Sequence, residues 1–339
     1  MKRGADRAAG AVAAAVALSA PLAHAGPEVA LRAFASEATQ SGVRSLGMGG
    51  DGATTGNFAR MADVAGSARL DSGIARYVDT GDAASFLAAT FTTPAFWGGA
   101  TLSISALSQR TTDARVWDDT PATKLEPPSL ADGSNQEAFA VLAKPLSSTV
   151  SLGLMLSYAQ SQMTLLPLSG TPPIRYETSW LPSGGAGLLW RPSWRWELGA
   201  RVTLLDDQET RDDSSGLRTG LLREYDARLG GGWSPWRGTR IDAGFVARTQ
   251  GSAVDDSLRL PSTSFKVFPT VGVEQALVRS RVWARAGLDE RSATTGLSFH
   301  ARPIVVDVAY VYDLALARID DVFGRRDASL LASIRFDYR

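Results

Sequence analysis

From about residue 83 to the C-terminus, apolar and polar residues alternate with a period of two, segment after segment, with no sustained 3.6-residue helical period. The last segment sets Leu330, Ala332, Ile334, Phe336 and Tyr338 on one face against Leu331, Ser333, Arg335 and Asp337 on the other. Residues 304–314 oppose Ile304, Val306, Val308, Tyr310 and Tyr312 to Asp307 and Asp313, and 194–205 oppose Trp196, Leu198, Ala200, Val202 and Leu204 to Arg195, Glu197, Gly199, Arg201 and Thr203. Residues 241–248 repeat the pattern. Strands are predicted at 83–92, 98–109, 135–144, 149–165, 174–190, 194–206, 217–233, 239–250, 262–276, 281–289, 293–301, 304–317 and 328–338. Ala68–Val78, ahead of a short hairpin at Asp79–Asp82, makes a fourteenth; one merged or split pair would give twelve or sixteen.

The connections alternate in length. Short turns fall at Pro94–Gly98, Lys144–Ser148, Arg191–Ser193, Ser234–Gly238, Leu277–Ser280 and Arg302–Pro303, and longer polar loops at 110–134, 166–173, 207–216, 251–261 and 318–327. Bacterial transmembrane barrels combine tight turns at one rim with larger loops at the other. A soluble β-sandwich would also alternate, burying its apolar face, so tryptophan placement decides between them. Trp97, Trp190, Trp194, Trp196, Trp233 and Trp236 all lie beside the short turns, as in the aromatic girdle where a barrel wall crosses the headgroup layer. The expected fold is an all-β, antiparallel transmembrane β-barrel of about 14 strands.

Composition agrees. Hydrophobic residues make up 44%, and beyond the N-terminal run no window approaches the ~18–20 apolar residues of a membrane helix. That test does not detect barrels, whose lipid-facing and lumen-facing residues average out. Lys2, Arg3 and Arg7 precede the short apolar run Ala11–Ala20, and Ala23-His24-Ala25 suits signal-peptidase cleavage before Gly26. The expected organisation is a signal peptide over 1–25, an N-terminal plug or periplasmic segment over 26–67 and the barrel over 68–339. Loss of the leader leaves 32 Lys plus Arg against 34 Asp plus Glu, a balance that gives no reason to expect nucleic acid. The chain has no cysteine, which excludes disulfides, thiolate metal sites and cysteine nucleophiles.

Ahead of the first strand lies Val43-Arg44-Ser45-Leu46-Gly47-Met48-Gly49-Gly50. This resembles the N-terminal signature of the FadL-type outer-membrane transporter superfamily, which also includes secretion-system shuttle barrels. The resemblance implies a fourteen-strand barrel with the N-terminal segment folded inside as a plug, and transport of hydrophobic molecules. Where members usually carry an aromatic-Asn-Pro-Ala stretch, this chain reads Asp63-Val64-Ala65-Gly66-Ser67, and Asp51 stands where a small residue is usual. Read physically, Gly47, Gly49 and Gly50 permit close backbone approach, and Arg44 is placed to meet a lumen carboxylate.

Parity assigns Arg195, Glu197, Arg201, Glu224, Asp226, Arg228, Asp242, Arg248, Arg285, Asp307, Asp313, Arg335 and Asp337 to the lumen. Their mixed signs favour a cross-braced interior over a wide charge-selective pore. Pro182, Gly184 and Gly185 are a candidate lateral opening, since a missing amide donor beside two glycines weakens a β-ladder; a bulge that tightens curvature is the competing reading. No catalytic or metal site and no cofactor are expected. After leader removal His300 is the one remaining histidine, placed at the short-turn end rather than where barrel hydrolases work. The pairs Asp118-Asp119, Asp206-Asp207, Asp212-Asp213 and Asp255-Asp256 lack calcium-loop spacing. Two functions remain: a channel for small hydrophobic molecules, and a non-transporting barrel that docks a secretion or envelope assembly. The expected location is the bacterial outer membrane. The expected partners are its lipids and lipopolysaccharide, the barrel assembly machinery, and a hydrophobic ligand or an envelope protein.

Overall fold

The computed structural model describes residues 44, 47–48, 53–64, 66–77, 83–94, 96–116, 129–167, 172–180, 183–214, 216–250, 264–278, 281–289, 292–313 and 326–338. The expected signal peptide, Leu46, Gly49, Gly50 and Pro182 lie outside the described residues. The strands are β1 Ser67–Tyr77, β2 Ala83–Thr93, β3 Thr101–Val116, β4 Ser129–Pro145, β5 Val150–Pro167, β6 Ile174–Trp180, β7 Ser183–Ser193, β8 Trp196–Asp213, β9 Gly216–Trp233, β10 Thr239–Gln250, β11 Ser264–Ala276, β12 Val282–Leu288, β13 Ser292–Ala301, β14 Ile304–Asp313 and β15 Arg326–Asp337. Each pairs antiparallel with its chain neighbours, except that β6 and β7 share one place between β5 and β8. β1 pairs with β15, from Ser67 opposite Asp337 to Tyr77 opposite Arg326. The wall therefore closes with fourteen strand positions.

Period-two sequences form this wall because each strand separates lipid from lumen. Leu70, Ile74, Leu154, Leu198, Phe245 and Ile334 are exposed on the outside, while Asp71, Met155, Arg201, Asp242 and Leu331 are buried within. All six tryptophans flanking the short turns are exposed, Trp97 at 81%, and Trp196 stacks on Trp233 with ring centroids 5.9 Å apart. Tyr158, Tyr225 and Tyr312, also exposed, each stand eight residues along their strands from the short-turn end. At ~3.3 Å per residue and a tilt of ~40°, that spacing approaches the ~25 Å apolar band of a membrane barrel.

The expected loop at 207–216 is instead a β-ladder. β8 and β9 pair without interruption from Trp196 opposite Trp233 to Asp213 opposite Gly216, where Gly216 takes φ 108° to close a two-residue turn. Asp-rich sequence reads as loop because these residues are poor strand formers. Beyond the membrane both faces of a hairpin are wet, so the alternation vanishes while the ladder continues. The expected loop at 110–134 shrinks likewise, with β3 running to Val116 and β4 starting at Ser129. The expected strand 174–190 is divided. Relative to both β5 and β8 it carries one extra residue between Trp180 and Ser183, and the lumen-facing parity changes from Tyr176 in β6 to Ser183 and Leu189 in β7. That is the geometry of a β-bulge.

Because Leu154 faces lipid midway between Tyr158 and the short-turn end of β5, Leu154→Arg should destabilise the barrel by about 2–4 kcal/mol. Urea unfolding in bilayers reads this directly.

Candidate functional site

Arg44, Gly47, Met48 and residues 53–63, the described part of residues 44–63, lie against the inside of the barrel wall in an order opposite to that of the strands. Gly47 packs on Gly296 of β13, the Met48 carbonyl lies over Gly272 of β11, and Ala53 covers Gly199 of β8 and Gly230 of β9. Asn57 covers Gly187 of β7, and the Phe58 backbone lies against Gly153 of β5. A Cβ on Gly153, Gly187, Gly199 or Gly272 would overlap the inner segment's atoms. Gly153 and Gly187 are register partners, as are Gly199 with Gly230 and Gly230 with Gly244. The glycines thus form a belt on which a backbone can lie.

Polar contacts fix the segment on that belt. The Asn57 amide donates to the carbonyls of Ala53 (2.7 Å), Leu188 (3.1 Å) and Ala200 (3.0 Å), and its oxygen accepts from the Ala59 N–H at 2.9 Å. This caps the six-residue 3-10 helix Phe58–Asp63. Arg201 donates to the Gly56 carbonyl at 3.2 Å and places its guanidinium 4.5 Å from the Phe58 ring centroid.

Two ion-pair clusters hold the ends. At the first, Arg44 Nε donates to Glu274 at 2.9 Å, Arg285 Nε donates to the same carboxylate at 2.6 Å, and Arg285 reaches Asp307 at 3.3 Å, with Ser298 between them. At the second, Glu197 accepts from Arg60 and, at 3.2 and 3.3 Å, from Arg240. Arg240 also donates twice to Asp242 at 2.7 Å, and Thr54 donates to Asp242 at 2.7 Å. Burial pulls the Arg60 pKa below its ordinary value, with Glu197 opposing. Asp63 pairs with Arg191 at 2.5 Å.

Of the residues assigned to the lumen by parity, Glu197, Arg201, Asp242, Arg285 and Asp307 come together around the inner segment. Asp226 and Arg228 pair along their own strand at 2.8 Å, as do Arg335 and Asp337 at the short-turn end. Arg195 does not face the lumen: it is exposed in the β7–β8 turn with its guanidinium 4.9 Å from the Trp194 ring centroid. The strand starts two residues later than the alternation suggests, because the turn consumes Trp194 and Arg195. The side chains of Glu224, Arg248 and Asp313 lie outside the described residues. His300 faces inward beside Trp283, ring centroids 6.1 Å apart.

Glu274, Arg240, Arg60 and Asn57 were not assigned from sequence. Arg240 precedes outward-facing Ile241 and was therefore legible by parity. Gly184 and Gly185 are paired on both sides, to Leu156 and Met155 of β5 and to Leu204 and Thr203 of β8. They leave no gap in the ladder, and Gly185 seats the Phe58 ring. The interruption lies before them.

The lumen is divided in charge. Among the described residues, the inner face of β2–β6 carries one charged side chain, Glu137, among Phe86, Leu107, Phe139, Met155, Met163 and Tyr176. The ion pairs lie on the strands from β7 round to β1, where Arg69 pairs with Asp71. Since a side chain at Gly199 cannot coexist with the seated Ala53 carbonyl, Gly199→Val should dislodge the segment while leaving a heat-modifiable barrel. Single-channel conductance in planar bilayers should rise; unchanged conductance would argue against a plug.

No family model matches the chain, and no curated protein matches it. Solved structures do. The Ralstonia pickettii toluene transporter TbuX superposes with TM-score 0.56 at 14% identity, covering 87% of this chain and 97% of its own. A Pseudomonas aeruginosa FadL homologue gives 0.54 at 13%, covering 94% and 99%. The CymD monoaromatic hydrocarbon channel gives 0.55 at 12%, covering 94% and 98%. At these identities the likeness speaks to architecture, and the chain has the fold of the FadL-type transporters and hydrocarbon channels.

Proposed function

We propose that the chain is a bacterial outer-membrane channel that passes small hydrophobic molecules along the neutral half of its lumen. The observation that carries this reading is the separation of the lumen into two walls. The plug's ion pairs lie on β7–β14, while its 3-10 helix packs on β3, β4, β5 and β7. The inner face of β2–β6 that continues past this helix is apolar and neutral but for Glu137 among the described residues, and an uncharged solute crosses such a face without stripping water from ions. The fold is that of hydrocarbon channels, which supports the same reading.

A hydrophobic solute that left through the polar end of the lumen would enter water. The one-residue bulge between Trp180 and Ser183 is the place in the described wall where a strand is divided, and it supports a sideways exit there. The site is shifted from the glycine pair to the bulge itself.

The ion-paired wall favours a second reading, a braced barrel that docks an envelope protein. Transport separates the two. Proteoliposomes holding the protein should take up toluene faster than empty liposomes, and deletion of Pro182, which removes the extra residue, should reduce uptake several-fold in a folded barrel. Uptake at the empty-liposome rate by the unaltered protein would favour docking. Full uptake by the deletion variant would rule out the bulge as the exit.

Orientation follows from how far the hairpins extend past the apolar band, with the β8–β9 tip outside the cell and the tryptophan-flanked turns in the periplasm. The chain has no cysteine, so Ser214→Cys and Ser193→Cys each offer one thiol. An impermeant maleimide on intact cells should label the first and spare the second.

A further inference from the structure

We infer that the short-turn rim of the barrel is a binding ring for anionic glycerophospholipids; the inference rests on the reading of these turns as the periplasmic rim of an outer-membrane barrel. Residues 94–100, 144–149, 191–195, 234–238, 277–281 and 302–303, the short connections with their flanking residues, hold seven Lys or Arg and no Asp or Glu. Asp63 and Asp337 approach the same rim, but they pair with Arg191 and Arg335. Lys144, Arg195, Arg237, Arg281 and Arg302 are exposed and have no ion pair among the described residues. The opposite strand ends carry both signs, with Asp206, Asp207, Glu209, Asp212 and Asp213 on β8 beside Arg211.

The same turns present large apolar side chains. Trp97, Leu146, Trp194, Trp236 and Leu277 are each more than half exposed, and the cations stand beside them. The Lys144 ammonium lies 3.6 Å from the point a Cβ on Gly98 would occupy, next to Trp97. The Arg195 guanidinium is 4.9 Å from the Trp194 ring centroid, and Arg237 follows Trp236 directly. In water these apolar groups would stay hydrated, at a cost that grows with their area. Against a bilayer the rings enter the acyl boundary while the cations stay at the depth of the phosphates.

Placement selects lipid over protein as the partner. The turns join β2 to β3, β4 to β5, β7 to β8, β9 to β10, β11 to β12 and β13 to β14, so they encircle the barrel. A protein docked on one side would cover a few of them, whereas the lipid annulus touches all. Net charge then selects among lipids. A phosphate diester with no cation of its own, as in phosphatidylglycerol, meets each Lys or Arg unopposed, and a zwitterionic headgroup brings a competing ammonium. Lys and Arg at a membrane surface are drawn to anionic lipids in this way, and salt screens the attraction.

The tryptophans beside the turns report on the lipids that touch them, because brominated acyl chains quench indole fluorescence on contact. Full-length protein in phosphatidylcholine bilayers should be quenched by brominated phosphatidylglycerol as strongly as by about three times as much brominated phosphatidylcholine, and the preference should fall toward parity in about 0.5 M sodium chloride. The variant combining Lys144→Gln, Arg195→Gln, Arg237→Gln, Arg281→Gln and Arg302→Gln keeps every tryptophan and should lose the preference while phosphatidylcholine still quenches it. Equal quenching of the unaltered protein by the two lipids, a preference indifferent to salt, or one that survives the substitutions would each overturn the inference. Equal quenching would leave the membrane reading standing and turn the cations toward an acidic envelope protein. If brominated phosphatidylcholine spares the tryptophans, both fall. Maleimide labelling of Ser193→Cys on intact cells would overturn the periplasmic placement and the inference with it. The comparison of lipids on the unaltered protein needs no variant to fold.

Discussion

A peptide backbone can lie flat against the inside of a β-barrel only where no Cβ projects into its path, and most of this molecule's interior follows from that steric restriction. Ordinary lumen-facing residues would hold the inner segment several ångströms off the wall. The belt from Gly153 and Gly187 through Gly199 and Gly230 to Gly272 and Gly296 removes that spacing. Contact at backbone distance then brings Asn57 within reach of the wall carbonyls of Leu188 and Ala200, and Met48 becomes fully buried. The side chains that fasten the segment are effective only because the glycines let it come close.

Charge is arranged to the same end. Glu197 faces two guanidiniums and Glu274 two more, so each carboxylate joins a residue of the inner segment to a residue of a different strand. Buried ions are retained at low net cost only when geometry and additional hydrogen bonds satisfy them, and here Ser298 and Thr54 supply some of those bonds. Concentrating the ions on the strands from β7 round to β1 leaves the inner face of β2–β6 with Glu137 as its one charged side chain among the described residues.

The wall was legible in the sequence to the extent that lipid and lumen impose opposite preferences on successive residues. Thirteen strands and the exposed face of β15 followed from period two, the fourteenth position from the even strand number of bacterial barrels, and the girdle from the tryptophans beside the short turns. Beyond the membrane that contrast disappears, which is why the β8–β9 ladder past Asp206 read as a loop. Parity recovered Glu197, Asp242, Arg285 and Asp307 but overshot at Arg195, where the turn begins. The belt was written as glycines of lumen parity in successive strands, yet a glycine has no side chain to mark a face. Pro182 lies outside the described residues, and Gly184 and Gly185 after it are paired on both sides, with Gly185 serving the inner segment.

The belt also fixes a direction. The inner segment meets β5 through Phe58, β7 through Asn57, β8 and β9 through Ala53, β11 through Met48 and β13 through Gly47, so its own order is the reverse of the strand order. Each described stretch of it is therefore held by wall residues about a hundred or more positions away in the sequence, as Arg44 is by Glu274, and its seat exists only where those strands already stand side by side.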